Sequence, residues 1–310
     1  VPIASSVPPS TSFQRVVIAM STTGSGSCES ICQIAAVHAD KVSYVYTRYI
    51  TPKQESKEAT EPEYYVVLNT GSIDSKAVIT VAEADAIKGF VDYLCDDDSK
   101  KILVAHEGEK FDFPVLLEHV KKYNLMDSFK EVVLGFVDTM PLFKCLFSCR
   151  QKYRLMDLAR DILGYNGIAN SLEQEVSVLA QLISHKAVFP RALLKASLTL
   201  DYYRKCDEYD TLYNRNKSTY KMLVKTGVMS DYMAEKTASS GLGYDHLYLA
   251  YEAAGQEGLN VLVSLPWGGN GPRVTKNIKF IETLANYFAQ LRKNRRPMRH
   301  PPWYKPCRFV

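Results

Sequence analysis

Residues 16–37 read VVIAMSTTGSGSCESICQIAAV. Val16, Val17 and Ile18 form a β-branched run, Gly24-Ser25-Gly26-Ser27 is turn chemistry, and Ile31 to Val37 is apolar again. That order predicts a strand, a turn and a second strand. Residues 43–50 (SYVYTRYI) alternate and are rich in Tyr and Val, which predicts a third strand, ended by Thr51-Pro52. The polar stretch 53–64 reads as a loop. Thr80-x-x-Glu83 has the spacing of a capping box, and Ala84, Ile87, Phe90, Val91 and Leu94 give the following helix one apolar face. Asp96-Asp97-Asp98 reads as a solvated helix-to-strand turn. Residues 101–106 (KILVAH) predict a strand, and 111–123 a helix with Pro114 in its first turn. A short strand and an apolar stretch follow in 136–147. Helices are predicted over 153–163, with Leu155, Leu158, Ile162 and Leu163 inward, and over 171–183.

Strands that give way to alternating strand and helix predict an α/β sheet domain over residues 15–189, behind a Pro- and Ser-rich linker at 1–14. From Pro190 the pattern is helical only. Residues 191–215 carry Tyr202, Tyr203, Tyr209 and Tyr213 near helical spacing, a stripe that reads as core or docking face. Short helices are predicted over 218–224, 230–237, 244–254 and 276–291, with Asp245 and Glu257-Gly258 in the punctuation between them. This gives a helical domain over 190–291 and a basic tail over 292–310.

Composition narrows the class. With 46% hydrophobic and 23% charged residues the 310-residue chain is globular, not disordered. No apolar run reaches the length of a membrane span, and the first residues lack a secretory pattern. Seven cysteines without framework or zinc spacing predict reduced thiols in an intracellular protein, nuclear or cytoplasmic. The first residue is not Met, so a longer parent chain with upstream domains is expected.

Three segments together resemble the DEDD 3′–5′ exonucleases of the DnaQ-like group, across residues 16–184. The first motif of that family reads hydrophobic-Asp-x-Glu-Thr-Thr-Gly followed by Gln-Ile-Ala-Ala. Here Thr22-Thr23-Gly24 and Gln33-Ile34-Ala35-Ala36 are present, while Ala19 and Ser21 stand at the two carboxylate positions. The second motif is followed closely by ILVAHEGEKFDFPVL, with Asp112 at the carboxylate and Glu107 where the family has Asn. The third, Ala169-Asn170-Ser171-Leu172-Glu173-Gln174-Glu175-Val176, puts Asn170 at the general-base His and Glu175 at the last Asp. FVDTMPLF resembles the Asp-Thr-Leu segment between the last two motifs. The resemblance implies an RNase H-like sheet fold. It also implies chemistry in which two divalent metals, Mg²⁺ or Mn²⁺, are held by four carboxylates. Two of those carboxylates and the base are missing, so no cofactor is expected. Asp112 and Glu175 remain as a metal-ligand pair, and Glu107, better placed than Glu29, is the candidate substitute ligand. Plain alternatives are a helix N-cap for Asp112 and an exposed helix position for Glu175.

The segments SSGLGYDHLYLAYEAAGQEGLNVLVS, GPRVT and FIETLANYF resemble the helical, SAM-like part of the exonuclease-like group that includes Exuperantia and the promyelocytic leukaemia protein C-terminal region. HEGEKF, at residues 106–111, resembles the same group. That resemblance implies RNA or DNA binding, often as a homodimer, without robust catalysis. The tail, LRKNRRPMRHPPWYKPCRFV, holds seven Lys/Arg and no acid. Arg292, Lys293, Arg295, Arg296, Arg299 and Lys305, interleaved with Trp303 and Tyr304, suit phosphate contacts and base stacking on a single strand. Arg292–Arg296 also reads as a nuclear import signal or a solvated charge run. The whole chain carries +4, so the rest carries −3 and the fold itself is not a basic surface. Three readings follow: a pseudonuclease that binds single-stranded RNA or DNA, an active metal-dependent exonuclease with a rearranged site, and a protein-interaction or dimerisation scaffold. The missing carboxylates favour the first over the second, and the basic, aromatic tail favours it over the third.

Overall fold

The computed structural model describes residues 12–23, 30–42, 44–51, 64–67, 76–266 and 271–294. Its contacts divide the chain into two compact units, one ending at Lys205 and the other beginning at Cys206.

The first unit is built on a sheet of seven strands. In chain order they are β1 (Gln14–Thr22), β2 (Ile31–His38), β3 (Val45–Ile50), β4 (Tyr64–Val67), β5 (Lys76–Val81), β6 (Lys101–Ala105) and β7 (Val133–Asp138), arranged β4-β5-β3-β2-β1-β6-β7. β1 pairs antiparallel with β2, Ala19 opposite Ala35 and Ser21 opposite Gln33, and β2 pairs antiparallel with β3. On its other side β1 pairs parallel with β6, which pairs parallel with β7. Among the described residues seven helices belong with the sheet: α1 (Glu83–Leu94), α2 (Asp112–Lys122), α3 (Met126–Val132), α4 (Thr139–Leu146), α5 (Leu155–Leu163), α6 (Leu172–Ser184) and α7 (Pro190–Ala196).

Alternation along β1 divides the core in two. Val16, Ile18 and Met20 pack with Phe90, Phe113 and Phe136 in the layer under α1 and α2. Val17 and Ala19 pack with Leu158, Leu179 and Ile183 in the layer under α5 and α6. A strand buried on both faces must be apolar at successive positions, which is why Val16, Val17 and Ile18 run together.

Several expectations change here. β4 starts at Tyr64, the last residue of the stretch expected to be loop, and β5 lies beyond it, where no strand was expected. Thr80 is not a capping residue: it lies in β5, and its hydroxyl meets that of Thr51 at 2.9 Å. The N-cap of α1 is Ala82, with no side-chain hydrogen bond. Glu83 turns inward instead. Its carboxylate accepts from Lys122 Nζ and Tyr123 OH, each at 2.6 Å, and lies 2.9 Å from His119 Nε2. Burial pushes this carboxyl up, but the hydrogen bonds from Lys122 and Tyr123 and the adjacent His119 outweigh it and hold it at about 2. The Asp96–Asp98 turn does more than contact solvent. Lys101 is fully buried in β6, and its ammonium reaches the Asp97 carboxylate and the Ser99 carbonyl. That contact with Lys101, with Ser99 adding to it, holds the Asp97 carboxyl well below the usual carboxylate range.

The expected boundary near Phe189 also moves. Leu193 and Leu194 of α7 are buried with the α6 layer. The long helix α8 (Leu200–Ser218) begins on the sheet unit, where Tyr203 packs edge-on to Phe113 and Phe136.

The second unit holds the rest of α8, then α9 (Lys221–Lys225), α10 (Asp231–Ser239), α11 (Tyr244–Ser264) and α12 (Ile278–Asn294), around Tyr220, Leu247, Leu259, Leu284 and Phe288. Residues 245 and 257–258 are not punctuation. α11 kinks at Ala254 and Gly255, the latter at φ +59°, and then resumes to Ser264. A Cβ on Gly258 would lie 2.0 Å from the Ala250 carbonyl oxygen, so only glycine fits this bend.

The Glu83 cluster clamps α1 to α2. Replacing Glu83 with Gln should destabilise the chain by about 1.5–3 kcal/mol at pH 7, since it weakens hydrogen bonds to a buried charged group. Because the folded carboxyl sits below its unfolded value, the clamp is complete above about pH 4.5 and fades as pH falls towards about 2. Urea melts at several pH values should show the variant and the parent converging on the acid side.

Candidate functional site

The carboxyl ends of β1 and β6, the start of α2 and the start of α6 meet at one small cavity. It is lined by Ala19, His106, Asp112, Leu155 and Glu175, among others, and has a volume of about 110 Å³. Ligand pockets generally run to about 300–1,000 Å³, so this one does not enclose a nucleotide.

Asp112 is the first residue of α2, not its N-cap, which is Phe111. It is 8% exposed, and its Oδ1 accepts the Met20 backbone N–H at 2.9 Å. Burial pushes its carboxyl up to about 7, against the opposing hydrogen bond from Met20. Glu175 is half-buried on α6, not an exposed helix position, and burial raises its carboxyl too. The two retained carboxyls therefore share one cavity. Ala19 brings a methyl group there, packed in the layer under α6. Ser21 lies one pleat further along β1, outside the lining.

Neither substitute completes the set. Glu107 takes a left-handed backbone conformation, φ +63°, with an exposed side chain that does not line the cavity. Its N–H is held by Asp138 Oδ1 at 3.0 Å. Asn170 is exposed ahead of α6 and also outside the lining, its N–H donating to Gln174 Oε1 at 2.7 Å. His106 does line the cavity, but both ring nitrogens are taken. Nε2 donates to the Tyr153 carbonyl at 2.8 Å, and Nδ1 lies 2.9 Å from Thr139 Oγ1. Burial lowers its pKa, which keeps the ring neutral.

Two acids that the motif reading passed over are structural clamps. Asp138 accepts from the N–H groups of Glu107, Glu109 and Met140, fixing the turn after β6 and capping α4. Glu173, at the start of α6, accepts from Gln33, Thr47 and Tyr49 at 2.9–3.1 Å. It bolts α6 across β2 and β3. Gln33, buried within an otherwise apolar strand, was the sequence signal for such a partner. Among the described residues no group of three or more His, Cys, Asp or Glu side chains is disposed to hold an ion. A pair of hard cations needs several ionised oxygens. The cavity offers two carboxyls, both with pKa values raised by burial, and one of them already accepts a backbone N–H.

Residues 13–162 match the family model of the Exuperantia RNAse H-like domain. The sheet unit is an Exuperantia-type, exonuclease-like domain. The match stops short of Asn170 and Glu175, so the third motif rests on the cavity geometry. Residues 216–291 match the PML C-terminal domain. The maternal protein exuperantia of Drosophila virilis is 26% identical over 166 residues, which are 49% of this chain and 34% of that protein. The aligned part is thus about a third of that relative's length. A solved structure of the yeast NOT1 MIF4G domain co-crystallized with CAF1 covers 60% of this chain and 86% of that chain, at 13% identity and a TM-score of 0.36. So loose a likeness carries no argument.

Of the basic tail, Arg292 and Lys293 are described, exposed in the last turn of α12. Arg295, Arg296, Arg299, Trp303, Tyr304 and Lys305 lie outside the described residues, as does the Gly24–Ser27 turn. Among the described residues no helix is long and apolar enough to cross a membrane.

Asp112 supplies a prediction. Its folded pKa lies above the unfolded value near 4, so the folded state holds the proton longer. The sheet unit should therefore be most stable below about pH 4 as far as this group is concerned, and lose that contribution as pH rises to about 7. Asp112→Asn keeps the acceptor for Met20 and removes the ionisation. It should raise the melting temperature at pH 8 and leave it unchanged near pH 4, by on the order of 1.4 kcal/mol per unit of pKa separation.

Proposed function

We propose that this chain is a catalytically inactive, DEDD-derived pseudonuclease that binds single-stranded nucleic acid. The observation that carries the reading is the composition of the cavity: Ala19 where a ligand is required, and only Asp112 and Glu175 as carboxyls. Loss of ligands from β1 removes the charge that would anchor two metals, and His106, which lines the cavity, has both ring nitrogens engaged. The reading needs no Mg²⁺ or Mn²⁺. An active site rearranged around Glu107 is disfavoured by that residue's outward side chain.

Binding of RNA or DNA is supported by kinship with the Exuperantia-type domain and by the tail from residue 291 onward. On this reading the helical unit is SAM-like, the protein works inside the cell, and the binding form is a homodimer, which light scattering tests.

The main experiment incubates the purified chain with labelled single-stranded RNA and DNA, with and without Mg²⁺ or Mn²⁺, and scores shift and degradation together. A shift without shortening is expected in both metals. Shortening from the 3′ end that disappears in Asp112→Ala would overturn the inactive reading. Absence of any shift would favour a protein-interaction scaffold.

Removal of residues 291–310 should weaken binding and flatten its salt dependence. Each neutralised phosphate of a single strand adds about 0.7 to the slope of log affinity on log salt. Losing three or four of seven cations should lower that slope by roughly 2 to 3. Trp303→Ala and Tyr304→Ala should each cost about 1–3 kcal/mol of binding without changing the slope.

A further inference from the structure

The helical unit holds a cavity larger than the one that Asp112 and Glu175 share. It lies where the end of α8 meets α9 and α10, and its volume is about 480 Å³, within the range that encloses a ligand group. Lys217, Lys221 and Lys225 line it at four-residue intervals, with Val224, Ala234 and Asp231. Lys217 is already engaged: it pairs with Glu235 at 2.8 Å and lies over the Tyr213 ring. Lys221 and Lys225 are exposed and make no ion pair among the described residues. Between them lies an apolar floor of Val224 and Ala234.

We propose that this cavity docks an acidic amphipathic segment of a protein partner, with an aliphatic side chain on the Val224–Ala234 floor and two carboxylates on Lys221 and Lys225. Three features select that occupant. The first is net charge. Three lysines and Asp231 line the cavity, and Glu235 pairs with Lys217, so these five groups sum to a single positive charge. A polyanion gains little from so weak a field. A segment with two acids is matched by the two available lysines. The second is the lining. None of the residues lining the cavity is aromatic or arginine, so a nucleic-acid base finds no stacking surface. An aliphatic side chain does find an apolar floor. The third is spacing. Lys221 and Lys225 stand one turn apart on α9, and acids four residues apart on a helix are separated by about 6 Å along its axis. A helix laid along α9 brings its i and i+4 acids opposite the two lysines, with the intervening face turned to the floor.

This surface is separate from the single-strand binding proposed above, and either can fail alone. The test pans a phage-displayed library of random twelve-residue peptides against the full chain. Affinities of the enriched peptides are then measured by fluorescence anisotropy. The expected consensus has two acids four positions apart with an aliphatic residue between them. Affinity should fall at least about tenfold on the Lys221→Gln/Lys225→Gln chain. Replacing the peptide's aliphatic residue with Ser should cost a similar factor. A consensus without acids, or equal affinity for the double variant, overturns the proposal. So does a variant that loses oligonucleotide binding while keeping peptide binding. Both lysines are exposed, so the variant should melt like the parent. Should it not, the methyl shifts of Val224 and Ala234 in the unaltered chain, on adding the peptide, decide between the same two outcomes: movement supports the site and its absence removes it.

Discussion

Everything in the sheet unit depends on β1 being buried on both faces and paired on both edges. Antiparallel β2 and parallel β6 fix its position, and two apolar layers close on its alternate side chains. A carboxylate in such a strand is tolerable only if something compensates it, because burying an unpaired charge is costly. In a metal centre the cations supply that compensation. Here alanine occupies position 19 and packs against the α6 layer. With alanine there, the strand end carries no charge that needs compensation at this position. The two acids that remain are the ones with other means of support. Asp112 holds the Met20 N–H and has its pKa raised, and Glu175 is only half-buried.

Polar side chains elsewhere in the sheet unit follow the same logic. Glu83, Asp138 and Glu173 are acids at helix starts, and each is satisfied by donors from another part of the fold. Glu173 draws on two strands, Asp138 on the turn after β6, and Glu83 on the end of α2. These clamps join helices to strands, or helix to helix, at the edges of the apolar layers. They help hold the layers of the exonuclease-like scaffold together.

Much of this could be read from the chain itself. The strands at 16–22, 31–37 and 101–105 and the helices from Asp112 and Leu172 announce themselves by β-branched runs and helical spacing. The pairing of Asp112 with Glu175 follows from the motif resemblance. Other parts could not be read. β5 ends on the residues that carry the capping-box spacing, and its parallel pairing with β3 comes from tertiary context. Thr80 and Glu83 have the spacing of a capping box because a strand that ends just before an inward acid gives the same letters. The kink at Gly255 looks like a helix end, since glycine marks both. The unit boundary inside α8 leaves no mark at all, because helical spacing continues across it while the packing partners change.

Lys101 has one more consequence. A lysine with no accessible surface, its amine locked under the Asp97–Ser99 turn, is sealed from solution chemistry while β6 stays in place. Acetylating enzymes and amine-reactive reagents reach it only when the strand peels away. Its rate of acylation, set against that of an exposed lysine such as Lys88, therefore clocks the opening of the central sheet from a single site in the native chain.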